Sequence, residues 1–323
     1  MTFLIGLSLL FIVLGAVSGC ASWQAEKRHP MIGELVDANG VEVHILQRGV
    51  AKSNHPTVVL IHGASANLLD LKMSLGEALA QDRTVLIVDR AGHGYSERPK
   101  NGHELDVQAQ TIRDALHAMG IERPIIVGQS FGGAVALNYA LQFQDEIAGL
   151  VVLAAVSHEW PGGVAWYNEA SGIPVIGFIL RRFIVPVYGR FVLDNGIDET
   201  FEPDAAPANY AERSGLALLF RPGNFKSNAS DIRNLKDEIK KQQDRYGELR
   251  IPVAVVTGLS DTTVSPEIHS KTLAMEVEGA DLTLLPDTGH ALHHSETARI
   301  VEIINSIATS EAPNFQLNET AMN

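Results

Sequence analysis

Short runs of aliphatic and β-branched side chains punctuate the chain at residues 57–61 (TVVLI), 84–88 (TVLIV), 124–127 (PIIV), 150–156 (LVVLAAV), 252–256 (PVAVV) and 282–285 (LTLL). Continuous apolar runs of four to seven residues predict strands covered on both faces, whereas residues 41–47 (VEVHILQ) alternate polar and apolar positions like an edge-type strand. A helical period over about 107–119 separates two of the runs, and a second helical stretch follows at 134–141. Short buried strands alternating with helices predict the α/β class, with a mostly parallel central sheet flanked by helices.

The rhythm stops between residues 157 and 249. Aromatic and proline-bearing stretches occupy that interval, followed by a polar helical segment at 231–245 (DIRNLKDEIKKQQDR). Core-type strands bracket it, so it reads as an inserted helical cap rather than a tandem domain. Residues 176–193 (IGFILRRFIVPVYGRFVL) are its most apolar part; Pro186 and Gly189 are expected to interrupt a long helix there, leaving a cap helix that buries its own apolar face. The resulting plan is a core of residues 40–156 and 250–308, a cap of 157–249, and a polar tail of 309–323 expected to be disordered.

Residues 1–19 contain no ionisable side chain, and the composition turns polar at 24–29 (QAEKRH). Such a segment suits a signal peptide or an N-terminal anchor, with residues 20–39 as a linker to the core. The only cysteine of the chain is Cys20, so an intramolecular disulfide, a cysteine-ligated zinc and an iron–sulfur cluster are all excluded. Residues 17–20 (VSGC) resemble the lipobox of bacterial lipoproteins. That resemblance implies acylation of Cys20, cleavage before it, and a protein exported and held at a membrane in the periplasm or at the cell surface. An uncleaved anchor is the alternative.

Thirty-eight acidic against 25 basic side chains give a formal net charge of −13. A surface of that sign repels phosphate backbones, so no nucleic-acid partner is expected.

The candidate chemistry gathers at the carboxyl ends of the expected strands, where ligands collect in open parallel sheets. Residues 128–132 (GQSFG) place Ser130 between glycines at a strand-to-helix junction, a turn that pushes a hydroxyl into the open. A serine nucleophile needs a base and an acid to orient that base. Asp261 follows the strand ending at Val256, and His290 follows the strand ending at Leu285; Asp287 and Asp281 are the rival acids. An oxyanion would find the backbone N–H of Phe131 and that of Ala64, with Gly63 as the alternative. His293 and His294 read as ordinary polar positions near a helix start, because they lack the glutamate and spacing of a zinc-protease helix; neither metal nor organic cofactor is expected.

These residues, with 62–63 (HG), 89–96 (DRAGHGYS), 258–261 (GLSD) and 288–290 (TGH), resemble the α/β-hydrolase fold superfamily over about residues 40–308. The resemblance implies a Ser130–His290–Asp261 triad, a loop brace at His62 with a comparable loop role for His93, and a small-molecule ester or related acyl substrate. Serine at the elbow separates the chain from haloalkane dehalogenases and epoxide hydrolases. Esterases, lipases, lactonases, thioesterases and carbon–carbon hydrolases share the pattern. Acyl transfer to an acceptor other than water, or a non-catalytic binding role, are the further alternatives. Residues 228–230 and 318–320 match the glycosylation sequon but carry no meaning in a bacterial lipoprotein.

Overall fold

A computed structural model describes residues 2–50 and 53–309. Eight strands form one sheet: β1 (Glu34–Asp37), β2 (Glu42–Gly49), β3 (Val58–Ile61), β4 (Thr84–Val88), β5 (Ile125–Gln129), β6 (Gly149–Leu153), β7 (Val253–Gly258) and β8 (Asp281–Leu285). Their order is β1-β2-β4-β3-β5-β6-β7-β8. The β1–β2 and β2–β4 pairs are antiparallel and all others parallel.

The continuous apolar runs became strands because helices cover both faces. Val59, Ile61 and Ile126 point to the side occupied by the helices Leu105–Ala118 and Phe131–Phe143. Val58, Leu60, Ile125 and Val127 point to the other, against Leu68, Leu71, Leu75 and the helix Thr297–Thr309. Strand β8 is the exception: it lies at the sheet edge, and all its residues but Leu285 are at least partly exposed. The expected linker also differs. A helix spans Thr2–Arg28, passing through Cys20, and β1 extends the sheet edge with a polar four-residue strand (ELVD) that has no apolar pattern to announce it.

Chain reversal positions the site. From β3 the chain moves to β4 on one side and then returns to β5 on the other, so the loops after β3 and β5 leave the sheet side by side at a switch point. Between β6 and β7 lie the helices Trp166–Gly172, Pro174–Ile179, Val185–Phe201, Tyr210–Arg213 and Pro222–Gln242. Pro186 does not break the segment as expected. Helical backbone continues from Pro174 to Phe201, and the wider π-helical turn Leu180–Ile184 just before Pro186 takes up the missing N–H bond. Nor does this part of the cap bury its whole apolar face: Val175 is 70% exposed and Tyr188 60%, with Phe178 and Ile184 also exposed. The N-terminal helix packs beside it, with Gly15 near the Phe183 ring and Glu26 paired to Arg221 at 3.1 Å.

The tail expected at 309–323 and the sequon at 318–320 lie outside the described residues, apart from Thr309, which ends the last helix.

Candidate active site

Ser130 is the pivot between β5 and the helix Phe131–Phe143. Its backbone sits at φ 53° and ψ −117°, a region costly for a residue bearing a Cβ. The turn closes only because its neighbours lack side chains: a Cβ on Gly128 would collide with the Gly132 carbonyl, and one on Gly132 with the Ile61 carbonyl of β3. This tightness holds the hydroxyl above the sheet at the start of the helix.

Three side chains from separate strand ends meet there. His290 Nε2 lies 3.0 Å from Ser130 Oγ, and His290 Nδ1 lies 2.7 Å from Asp261 Oδ2. All three residues are buried. The other Asp261 oxygen accepts the backbone N–H groups of Thr263 and Val264, each at 2.8 Å, which fixes the carboxylate plane. Asp287 and Asp281 are exposed. Asp287 adopts a left-handed φ of 51°, in keeping with a turn position.

Ala64 lines a cavity of about 450 Å³ together with Ser130, His290 and Tyr210. The Phe131 N–H is the first of its helix and so has no intrahelical acceptor. The loop bearing Ala64 is braced from beneath by His62, whose Nδ1 donates to the Gly63 carbonyl at 2.8 Å while Nε2 accepts the Arg90 N–H at 3.0 Å. Those two roles require the neutral ring. Complete burial, reinforced by the Arg90 guanidinium, lowers the His62 pKa to about 3. His93 has a similar loop position, with Nδ1 3.2 Å from the Ala91 carbonyl, and burial lowers its pKa as well.

Several contacts of the site carried no sequence signal. Asn228, known from sequence only as part of a sequon, is buried on the helix Pro222–Gln242; its Oδ1 accepts the Ser65 N–H at 2.7 Å and its Nδ2 donates to Ser65 Oγ at 3.1 Å. Arg90 is fully buried, lies over the Phe131 ring at 4.2 Å, and pairs with Asp231 of the cap at 2.8 Å. Both partners are too far along the chain for a local motif to connect them.

His293 and His294 are not the ordinary polar positions they were expected to be. Their Nε2 atoms lie 3.0 Å and 2.8 Å from the two carboxylate oxygens of Asp70, which also accepts the Tyr210 hydroxyl at 2.9 Å. Asp70 sits 223 residues before His293, which is why sequence spacing could not reveal the cluster.

A sheet of this order, an elbow at the end of β5 and a cap between β6 and β7 define the α/β-hydrolase class. A family model described as "alpha/beta hydrolase fold" matches residues 56–170. A 2-hydroxymuconate semialdehyde hydrolase of Pseudomonas putida is 27% identical, covering 89% of this chain and 98% of its own length. Among solved structures, the enol-lactonase of Burkholderia xenovorans LB400 superposes with a TM-score of 0.64 at 21% identity, covering 84% of this chain and 98% of that one. The esterase EaEST of Exiguobacterium antarcticum gives 0.67 at 18% identity, covering 86% of this chain and 100% of that one. The chain has the α/β-hydrolase fold.

Proposed function

We propose that this chain is a serine hydrolase that cleaves the ester or related acyl bond of a small molecule through an acyl-enzyme. One observation carries the reading: the continuous relay from Ser130 Oγ through His290 to Asp261, at 3.0 Å and 2.7 Å. In the first step His290 Nε2 removes the Ser130 proton as Oγ bonds to the carbonyl carbon. Asp261 holds the Nδ1–H tautomer that leaves Nε2 free to accept. Negative charge develops on the carbonyl oxygen and is received by the amides of Phe131 and Ala64, each such donor being worth about 3–4 kcal/mol. The tetrahedral adduct collapses, and the imidazolium gives its proton to the leaving alcohol. Water then repeats the sequence on the acyl-serine, returning the acid and free Ser130.

The test is covalent labelling with a fluorophosphonate. Native protein takes up one probe at Ser130 and the Ser130→Ala variant takes up none; equal labelling of the two ends this reading. A second reading, carbon–carbon hydrolysis, is supported by the Pseudomonas putida relative that matches over nearly its whole length. Turnover of 2-hydroxymuconate semialdehyde at a rate exceeding that of simple p-nitrophenyl esters would select it.

The same proposal includes export and membrane tethering through Cys20, which is exposed on the N-terminal helix and open to acylation.

A further inference from the structure

The carboxylate of Asp70 is buried, and its side-chain partners among the described residues are two imidazoles and a phenol. None of these is a permanent cation. A buried carboxylate without a compensating positive charge is costly, and the surplus of acidic residues in this chain offers no relief. The partners are arranged like a donor set. One oxygen or nitrogen from each of Asp70, His293 and His294 lies within 4.8 Å of the others. The two imidazole rings stand side by side, centroids 4.4 Å apart, with both Nε2 atoms turned to the same carboxylate.

We propose that Asp70, His293 and His294 form a binding site for a divalent transition metal, with Zn²⁺ the best match to two imidazole nitrogens and a carboxylate. The N···O separations of 2.8 Å and 3.0 Å are hydrogen-bond distances, so an ion about 2.0–2.2 Å from each atom takes the place of these contacts and parts the side chains by about half an ångström. The Tyr210 hydroxyl, 2.9 Å from Asp70 Oδ1, is the outer partner that orients the ligating carboxylate. Asp70 and His293 also line the cavity that holds Ser130 and His290, so an ion held there would be reachable from that cavity. The site joins three parts of the fold: the helix Leu68–Leu71 after the oxyanion loop, the helix Leu292–Ser295 after His290, and Tyr210 of the cap. Its claim concerns metal binding and stands apart from the chemistry of Ser130.

The experiment uses the full-length protein in detergent, stripped with a chelator and equilibrated with Zn²⁺. Metal content is read by mass spectrometry and affinity by competition with a chromophoric chelator. About one zinc per chain is expected, its affinity lowered at least tenfold in Asp70→Asn and His294→Gln, and roughly tenfold in Tyr210→Phe. X-ray absorption at the zinc edge should report nitrogen and oxygen ligands with imidazole scattering. A native protein that retains no zinc overturns the proposal, as does zinc affinity unchanged in His294→Gln. The His294 substitution decides the matter should the more buried Asp70 variant fail to fold.

Discussion

At the scale of single residues, His62 shows how a position that transfers no proton can still govern pH dependence. Folding removes its basicity, lowering the pKa from 6.5 to about 3 because burial and Arg90 oppose the charged ring. Between those values the unfolded chain binds a proton that the native chain refuses, so native stability falls as pH drops from about 6.5 towards 3. The contribution is fully present above that window, and its slope is at most about 1.4 kcal/mol per pH unit. His62→Gln keeps an amide donor for Gly63 and an acceptor for Arg90 while removing the titrating group. Urea unfolding of this variant at pH 5, 6 and 7 should give a shallower decline on acidification than the native protein. A residual slope will remain, since burial also lowers His93 and His269. An unchanged slope would show that the His62 ring charges in the native state.

At the scale of elements, the cap is fastened to the core through the residues that shape the elbow. Asp231 on Pro222–Gln242 takes Arg90 at 2.8 Å and Arg98 at 2.5 Å, and the Arg90–Asp231 pair is excluded from water. Removing one member leaves the other charged and dry, a loss of about 3–5 kcal/mol. Asp231→Leu should therefore lower the unfolding free energy by that amount. Adding Arg90→Met should recover part of the loss, a coupling that a double-mutant cycle on denaturant midpoints measures directly. This latch also marks the boundary of what sequence reveals. Strands β3 to β7 were legible because both faces of each are dry, which forces an unbroken apolar run. Strand β1 was not, because an exposed edge strand tolerates ELVD. Ser130, Asp261 and His290 were legible because each stands just beyond a readable strand, so local motifs and chain order sufficed. Asn228 with Ser65, Asp231 with Arg90, and Asp70 with His293 meet across 163, 141 and 223 residues, and neither member of any pair has a local pattern that names its partner.

At the scale of the whole molecule, the proposed tether constrains which side of the protein faces a membrane. Glu26 pairs with Arg221, and the Tyr95 hydroxyl donates to the His29 carbonyl, so the end of the N-terminal helix is fastened to the cap and its border. From Cys20 to Glu26 a helix rises only about 9 Å. Acyl chains on Cys20 would thus bring the part of the cap around Pro186, Phe220 and Arg221 towards the lipid surface. Attraction by charge contributes little, because a net charge of −13 is repelled by anionic headgroups. On the proposed tether, attachment comes from the acyl chains, at about 0.8 kcal/mol per buried methylene. Membranes from cells expressing the protein should retain it through a high-salt wash and release it to detergent. An alkyne-tagged fatty acid fed to those cells should label the native chain but not Cys20→Ser, and the mature mass should lack residues 1–19. Retention without label, at the mass of the uncleaved chain, would assign the attachment to the apolar N-terminal segment itself and exclude acylation.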